Sequence, residues 1–221
     1  MISIKNLTVD YPLDNNKFTA LSNISIEIND FEHVALIGRN GSGKSTLLKT
    51  LAGVFFPSNG SVKLSGEPLT IFDIALGMEK DESGFNNVII KGLYYGLSEE
   101  DIHNGMDRIK SFAELGDFFY KPVRTYSAGM RARLAFSILT IISRDIYLVD
   151  EVIGVGDKFF NIRAKELIKS KSKSCKNFIL ASHAEQLIRE FCNKGLWLDN
   201  GKIKMYDDID TVLDRYKNWK K

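Results

Sequence analysis

The sequence has little of what marks a secreted, membrane-spanning or disulfide-stabilised protein. Its 221 residues include two cysteines, Cys175 and Cys192, and their spacing fits neither a metal site nor a redox pair, which indicates ordinary reduced thiols. No apolar run approaches the roughly 20 residues that a transmembrane helix needs. The first five residues alternate like a strand and do not form the apolar core of a signal peptide. We therefore expect a soluble cytosolic protein that would reach a membrane only through a partner.

Charge and repetition exclude further classes of protein. The net charge of +2 gives no electrostatic basis for binding nucleic acid, so we expect no nucleic-acid partner. The sequence contains no internal repeat, no low-complexity tract and no long linker. A chain of this length, 44% hydrophobic and 26% charged, suits one globular domain, with or without a subdomain.

What the sequence does contain is a glycine-rich loop between an apolar run at 34–37, which predicts a buried strand, and a helix start at Ser45–Leu51. Glycines let a backbone turn tightly and point its N–H groups at an anion, and the helix N-terminus adds a positive dipole end. Lys44 would supply a charge for the β- and γ-phosphates, and the Ser45 hydroxyl a ligand for Mg²⁺. The loop consists of Gly38, Arg39, Asn40, Gly41, Ser42, Gly43, Lys44, Ser45 and Thr46. It predicts that the chain binds a nucleoside triphosphate.

Further strands fall into two patterns. Half-buried strands alternate apolar and polar residues, whereas parallel strands covered on both faces are continuous apolar runs. Asn200-Gly201 is a hairpin turn pair within 197–203. The half-buried candidates are Ile2–Val9, Ile24–Ile28 and Gly60–Leu64, and the fully buried candidates are Ile146–Val149 and Phe178–Ala181.

The stretch between the loop strand and Ile146 has helical periodicity instead. Ser98 and Asp101 resemble a helix cap, and a last helix is predicted from about Ile209 to Trp219. The apolar stripes at helical spacing are Ile102, Met106, Ile109 and Phe112, and then Leu134, Ala135, Ile138, Leu139 and Ile142. We predict a single domain over 1–221, with a core of 1–84 and 144–221 and an inserted helical subdomain at about 85–143.

Two acids, Asp150 and Glu151, directly follow the apolar run at 146–149. A carboxylate at the end of a buried strand beside a phosphate loop can hold Mg²⁺, directly or through water. The next carboxylate would be placed to polarise an attacking water. Strand ends often carry solvated acids, but the phosphate loop upstream favours the functional interpretation.

Tyr126-Ser127-Ala128-Gly129 opens the helix predicted from its stripe at 134–142. Ser127 is a good N-cap residue, and Gly129 would let a phosphate approach the first turn closely. From these residues alone, a capped helix without a ligand is the alternative.

The order of these features, ending in Ser182-His183 after a buried strand, resembles the ATP-binding subunit of ATP-binding-cassette (ABC) transporters over nearly the whole chain. The resemblance implies an α/β fold: a P-loop nucleotide-binding core with a mainly parallel sheet, an N-terminal antiparallel β part and an inserted α-helical subdomain. It also implies ATPase activity, with ATP and Mg²⁺ as ligands.

The resemblance further implies roles for single residues. Glu151 would be the catalytic carboxylate and His183 the switch histidine at the γ-phosphate, with Lys44 as the third catalytic group. Asp150 and Ser45 would organise Mg²⁺.

Three more residues would act across a dimer. Ser127 and Gly129 would face ATP held by a second copy, and Asp157 would lie on the loop that touches that copy. The active unit would therefore be a homodimer around two ATP molecules. Tyr11 would stack on adenine, with core packing as its alternative role.

The chain departs from the usual family pattern in ways that narrow the expectation. The signature reads Tyr126-Ser127-Ala128-Gly129-Met130 in place of Leu-Ser-Gly-Gly-Gln, and Val152-Ile153-Gly154 replaces Pro-Thr-Ser. The one glutamine is Gln186, so the family's loop glutamine, expected at about 73–78, is absent. The signature together with the segment at 150–157 resembles the branch that exports O antigens, capsules and teichoic acids. Some members append a carbohydrate-binding β-sandwich, so a chain that stops at Lys221 would be a short form or a truncated one.

We therefore expect an ATP-driven motor for export of a lipid-linked polysaccharide. It would bind an integral membrane subunit through the surface near 73–95 and lie at the cytoplasmic face of the bacterial inner membrane. The alternative is an ABC ATPase subunit for another substrate. A non-transport ATPase acting on DNA or ribosomes would usually carry a coiled-coil insertion or a second cassette. A GTPase would need an aspartate that Asn16-Lys17 and Asn193-Lys194 both lack.

Overall fold

The computed structural model describes residues 1–13, 16–71, 77–150 and 158–220. These residues form nine strands and seven α-helices, and two short 3₁₀ helices, Gly116–Tyr120 and Val123–Thr125, precede the fourth α-helix. The elements in chain order are β1 (Ile2–Leu13), β2 (Asn16–Ile28), β3 (His33–Ile37), α1 (Lys44–Leu51), β4 (Asn59–Leu64), β5 (Pro68–Ile71), α2 (Gly84–Tyr94), α3 (Glu99–Ala113), α4 (Ala128–Ile138), β6 (Ile146–Asp150), α5 (Lys158–Ser174), β7 (Asn177–Ala181), α6 (Glu185–Phe191), β8 (Lys194–Asp199), β9 (Lys202–Asp208) and α7 (Ile209–Lys220).

The chain divides into two compact units. The first contains Met1–Phe72, Arg144–Glu151 and Ser172–Lys221, and the second contains Asp73–Ser143 and Val152–Lys171. The helical subdomain predicted at about 85–143 falls within the range of the second unit. Its boundaries, and the single-domain organisation, stay predictions.

The first unit contains two sheets. A three-stranded antiparallel sheet has the order β2-β1-β4, and a six-stranded sheet has the order β5-β6-β7-β3-β8-β9. The six-stranded sheet is parallel from β5 to β8, and only β9 runs antiparallel to its neighbour. The predicted α/β fold, with an N-terminal antiparallel part and a mainly parallel main sheet, is confirmed.

One apolar core joins both sheets to α1. Alternate residues of β1 and β2, such as Ile4 and Ile24, face the buried side chains of β3 and β6, as expected for strands with one covered face. From α1, Leu47, Leu48 and Leu51 are each at most 2% exposed. Because both neighbours of the loop at 38–43 are anchored in this core, the position of the loop is fixed.

The predicted hairpin is β8–β9. Its turn residues Asn200 and Gly201 have φ values of +47° and +71°, the left-handed pair that a tight hairpin turn requires and that Asn-Gly adopts most easily. Asp199 pairs with Lys202 directly beside the turn, so the hairpin prediction is confirmed.

In the second unit, three helices begin at a serine cap. The hydroxyl oxygens of Ser83, Ser98 and Ser127 accept hydrogen bonds from N–H groups three residues further on, at 3.1, 3.1 and 3.2 Å. Each bond satisfies one of the N–H groups that a helix start leaves without a partner. The caps predicted at Ser98 and Ser127 are confirmed.

The prediction that one helix carries the whole stripe from Leu134 to Ile142 was wrong at its end. Helix α4 ends at Ile138, and Leu139 is its C-cap. The backbone then tightens, because the N–H groups of 139–141 donate to carbonyls three residues back, as in a 3₁₀ turn. Ile142 is nevertheless fully buried, so the apolar pattern reported burial correctly and helix length incorrectly.

A buried asparagine fixes the start of α2. Asn87 is 0% exposed, and its amide donates to the carbonyl oxygens of Glu79, Ser83 and Glu82 at 2.9, 2.9 and 3.3 Å. Its own side-chain oxygen accepts from the Glu79 N–H at 2.8 Å. One side chain therefore satisfies several backbone groups that precede and open the helix.

We predict that Asn87→Ala lowers the free energy of unfolding by about 1–3 kcal/mol, because it leaves buried backbone groups without partners. The matched control is Asn86→Ala in the same helix, since Asn86 is exposed and its side-chain amide donates to the exposed Glu82 carboxylate. The control should change stability by less than about 0.5 kcal/mol. Urea unfolding of both variants measures the difference, and equal losses would contradict the role of Asn87.

Candidate functional site

The candidate site is built on the loop between β3 and α1. Gly41 and Gly43 have φ values of +79° and +104°, which L-residues rarely adopt. A Cβ at Gly43 would lie 2.7 Å from Leu21 Cδ2 and 3.0 Å from the Ala20 carbonyl oxygen. No side-chain cap is present at the start of α1 among the described residues, so an anion in the loop could accept hydrogen bonds from its first turn.

The loop interior also holds the Lys44 ammonium. Lys44 Nζ donates to the carbonyl oxygens of Gly38 and Arg39 at 2.8 and 3.0 Å, which places the charge across the mouth of the loop. The Ser42 hydroxyl oxygen is buried and has no hydrogen-bond partner among the described residues. Uncapped N–H groups, a cation on neutral carbonyls and a buried polar oxygen together form a cradle that suits an anion.

Strand register brings further predicted residues to the same place. Asp150, the last residue of β6, pairs with Ala181 of β7, and Ala181 pairs on its other side with Leu36 of β3. The carboxyl ends of these parallel strands therefore meet the loop, as ligand sites in open α/β sheets do. They border a cleft of about 370 Å³ lined by Tyr11, Phe18, Ala20, Asn40, Gly41, Gly43, Lys44, Ser45, Thr46, Asp150, Ala181 and His183.

Most predicted site residues of the first unit thus share one cleft. Gly38, Arg39 and Ser42 belong to the loop without lining this cleft. Glu151 and Asp157 lie outside the described residues, so their roles stay predictions, as do those of the residues that the cleft brings together.

Ser127 and Gly129 belong to the second unit. Ser127 is exposed at the N-terminus of α4, and a Cβ at Gly129 would approach only the Ser127 hydroxyl oxygen, at 3.9 Å. The first turn of α4 is therefore open enough for a phosphate to reach its N–H groups.

The aromatic wall of the cleft consists of Tyr11, which was predicted, and Phe18, which sequence reasoning missed. Tyr11 shares a hydrogen bond of 3.1 Å with the Thr46 hydroxyl and meets Phe55 edge to face at 5.3 Å. Phe18 pairs with Tyr11 across β1–β2, lines the cleft and is 52% exposed. An exposed aromatic opposite Tyr11 would have been found if the strand predicted at 24–28 had been extended back along the chain.

A charged contact stiffens the hairpin that carries these aromatics. The Asp10 carboxylate accepts from the Thr19 hydroxyl at 2.7 Å and from Lys17 Nζ at 3.0 Å. These hydrogen bonds, first from Thr19 and then from Lys17, hold the pKa of Asp10 below its usual value. Because the bonds cross from β1 to β2, they keep Tyr11 and Phe18 facing the cleft together.

The oxygen ligands of the cleft fit Mg²⁺ that is also coordinated by phosphate and water. Ser45 and Asp150 both line the cleft and offer the oxygen ligands that Mg²⁺ prefers. Within the described ranges, no group of three or more His, Cys, Asp and Glu side chains could hold a metal. Bound Mg²⁺ would therefore draw its remaining ligands from phosphate and water, as it usually does.

Comparison with known proteins then identifies the family. The model of the family described as "ABC transporter" matches residues 21–154, which include the loop, the start of α4 and the end of β6. The chain belongs to the ABC transporter family. Solved ABC structures agree in fold: the "Structure of ATP binding subunit of ABC transporter" matches with a TM-score of 0.81 and 20% identity, over 98% of this chain and 93% of that one. A dimeric ATP-binding cassette, MJ0796, bound to ADP and Pi matches with a TM-score of 0.77 and 20% identity over 95% and 99%.

Relatives within the ABC transporter family are closer in sequence. The teichoic acids export ATP-binding protein TagH of Staphylococcus haemolyticus is 37% identical over 94% of this chain and 78% of its own length. The O-antigen export system ATP-binding protein RfbE of Yersinia enterocolitica is 40% identical over 88% and 81%. The TagH protein of Bacillus anthracis is 38% identical over 94% of this chain, but the chain spans only 38% of that longer protein.

We predict that Gly43→Ala is more destabilising than Gly53→Ala, although both glycines have positive φ values, of +104° and +74°. A Cβ at Gly53 meets nothing within 4 Å, so that variant should lose only about 1–2 kcal/mol to backbone conformation. Gly43→Ala should lose about 1–3 kcal/mol more, because Leu21 is fully buried and cannot move aside freely. Urea unfolding measures both losses, and a Gly43→Ala loss no larger than that of the control would contradict the packing of the loop.

Proposed function

We propose that the chain is an ATP-hydrolysing motor subunit. It dimerises around two ATP molecules and powers export of a lipid-linked cell-surface polysaccharide through a separate membrane subunit. The observation that carries the proposal is the cleft in which the glycine loop, Lys44 and Ser45 meet Asp150 and His183. A phosphate cradle, a site for Mg²⁺ and a group near the terminal phosphate are what triphosphate hydrolysis needs in one place.

The polysaccharide cargo is supported by the relatives. Proteins 34–40% identical to this chain are named as ATP-binding proteins for export of teichoic acids or O antigen. They come from several bacterial genera, and this chain spans 78%, 81% and 88% of the length of three of them. The chain spans less than half the length of some of these relatives. The cargo is therefore a proposal for this chain.

The proposed reaction gives a physical task to several residues of the cleft and to Glu151. The α1 N-terminus and the Lys44 ammonium bind the β- and γ-phosphates and stabilise the charge that spreads over them during transfer. Ser45 and Asp150 would hold Mg²⁺, which would supply neutralisation of the phosphate charge. Glu151 polarises the attacking water, and His183 contacts the γ-phosphate.

The dimer completes the proposed site from a second copy. The start of α4, with exposed Ser127 and half-buried Gly129, supports a contact with phosphate held by the partner, and Asp157 would touch the partner beside it. The dimeric state of the matched MJ0796 cassette supports the same arrangement. Neither half would hydrolyse ATP efficiently alone, because each holds only part of the phosphate-binding groups.

The membrane partner is proposed to bind near residues 73–95. Along α2, the apolar residues Ile90, Leu93 and Tyr94 are 39%, 46% and 79% exposed, which supports a protein contact at this surface. In the part of the chain that the structure describes, no helix has the length and apolar character to cross a membrane. The chain would thus be held at the cytoplasmic face of the inner membrane by its partner.

Two substitutions should separate ATP binding from turnover. Lys44→Ala should weaken ATP binding by about 10- to 100-fold, because it removes charge-assisted hydrogen bonds to phosphate. Glu151→Gln should bind ATP normally and lose turnover, because the amide cannot polarise water. Lys49→Ala, in the same helix α1, is the matched control, since the Lys49 ammonium lies over the Phe55 ring and not in the cleft. Fluorescent-nucleotide titration measures ATP binding, and phosphate release measures turnover. Normal turnover by Glu151→Gln would contradict the catalytic role of Glu151.

Deletion in the host should separate the proposed cargo from any other. We predict loss of one surface polysaccharide and accumulation of its lipid-linked form on the cytoplasmic leaflet, measured by glycan extraction and leaflet-specific labelling. Expression of the Lys44→Ala chain should not restore export, whereas expression of Lys49→Ala should. Unchanged surface glycan would contradict the export proposal and leave an ABC ATPase for another substrate.

A further inference from the structure

The last helix reaches the phosphate loop through its final aromatic residue. Along α7, the side chains of Ile209, Val212, Leu213 and Tyr216 are at most 9% exposed and form the apolar stripe that packs on the sheet. The same spacing next reaches Trp219, which is 44% exposed. Trp219, the last residue of the stripe, is therefore only partly covered and can contact another side chain.

That partner is Arg39, the second residue of the phosphate loop. The Arg39 guanidinium carbon lies 5.7 Å from the centre of a Trp219 ring, within the range of a cation–π contact. The Trp219 ring is held in turn by Tyr216, stacked at 6.1 Å, and by Trp197, edge to face at 5.2 Å. The Arg39 guanidinium therefore contacts a ring that two other aromatic rings hold in place.

The contact between Arg39 and Trp219 lies at the exposed part of the phosphate loop. Gly38 and Ser42 are buried, whereas Arg39, Asn40 and Gly41 between them are exposed. The Arg39 carbonyl also accepts a hydrogen bond of 3.0 Å from Lys44 Nζ. Holding the Arg39 side chain therefore restrains the exposed arm of the loop and one of the oxygens that position the Lys44 ammonium.

A second contact joins α7 to the other side of the site. A cavity of about 230 Å³ has Gly38 and His183 on its wall together with Leu213 and Tyr216 of α7. Nearby, Lys217 Nζ forms an ion pair of 2.8 Å with Glu185, two residues after His183. Helix α7 thus borders both the start of the phosphate loop and the segment that carries the histidine.

We propose that Trp219 is a positioning residue for the phosphate loop: its ring holds the Arg39 guanidinium, so that the affinity of the loop for ATP depends on α7. The inference rests on the proposed function, because it takes ATP as the ligand of the loop. The loss expected on removing a partly exposed cation–π contact is about two- to fivefold in affinity.

The first test compares nucleotide affinity among variants of one helix. Trp219→Ala should weaken Mg²⁺-dependent binding of N-methylanthraniloyl-ATP about two- to fivefold, and Trp219→Phe should restore most of it, because the phenyl ring keeps an aromatic face. Asn218→Ala, at the exposed neighbouring position, should bind like the unaltered chain. Equal affinity of Trp219→Ala and the unaltered chain would overturn the inference.

A double-mutant cycle assigns the effect to the pair. Arg39→Met removes the guanidinium, and Trp219→Ala should then cause no further loss of affinity if the two groups act together. An additional loss of the same size in the Arg39→Met background would overturn the inference, because Trp219 would then act by another route. The cycle is needed because Arg39 itself could also contact the nucleotide.

The second test reads the contact spectroscopically. The chain contains two tryptophans, so Trp197→Phe leaves Trp219 as the single emitter. This change preserves an aromatic ring and sacrifices no hydrogen bond among the described residues, since Trp197 Nε1 has no partner there. Trp219 emission should change on addition of Mg²⁺ and ATP with the midpoint found by nucleotide titration, and the change should disappear in Arg39→Met.

Failure of the inference differs from failure of the proposed function. If the unaltered chain does not bind the fluorescent nucleotide, ATP is not the ligand of the loop and the proposed function fails with the inference. If the nucleotide binds and Trp219 emission stays constant throughout the titration, only the inference is overturned.

Discussion

The narrow space around the loop after β3 constrains the rest of the site. A Cβ at Gly38 would lie 2.4 Å from both the Leu198 carbonyl oxygen and the Ser42 hydroxyl oxygen, so the backbone can pass here only as glycine. This close passage turns the chain from the buried strand into α1 within a few residues. It leaves the first N–H groups of the helix, the Lys44 ammonium and the carboxyl ends of three strands facing one cleft.

That arrangement depends on a core which belongs to both sheets. The side chains of α1 pack in the same cluster as those of β1, β3 and β6, so the helix cannot shift without opening the core. The hairpin of β1 and β2 enters the same cluster and at its far end carries Tyr11 and Phe18. Packing therefore sets the distance between the aromatic wall and the phosphate cradle. The hydrogen bond between Tyr11 and Thr46 adds a direct link between the two.

Much of this was predictable from sequence, for physical reasons that differ by element. Strands covered on both faces must be apolar throughout, so β3, β6 and β7 were visible as continuous runs. The turn at Asn200-Gly201 was visible because few residues adopt two successive positive φ values. The loop at 38–46 was visible because its glycines and Lys44 meet backbone requirements that hold in any phosphate-binding loop.

Other elements gave no local signal. Strand β5 has four residues and begins with a proline, a residue that strands tolerate at an edge or at their first position but that does not mark a strand in the sequence. It is recognisable only by its pairing with β6. Helix α5 has lysine and serine alternating near its end, which obscures its period. The stripe at 134–142 marked burial and overstated the helix. Phe18 and the contact between Arg39 and Trp219 depend on tertiary pairing, which one sequence does not reveal.

A crystal structure with Mg²⁺ and a non-hydrolysable ATP analogue would show directly whether the loop holds the phosphates of ATP. We predict the β- and γ-phosphates within the loop, with Lys44 Nζ moved from the carbonyl oxygens of Gly38 and Arg39 onto phosphate. Mg²⁺ should lie between Ser45 and Asp150, and the base should lie beside Tyr11 and Phe18. A nucleotide bound elsewhere, with Lys44 Nζ still bonded to those carbonyl oxygens, would show that the loop does not hold the phosphates of ATP.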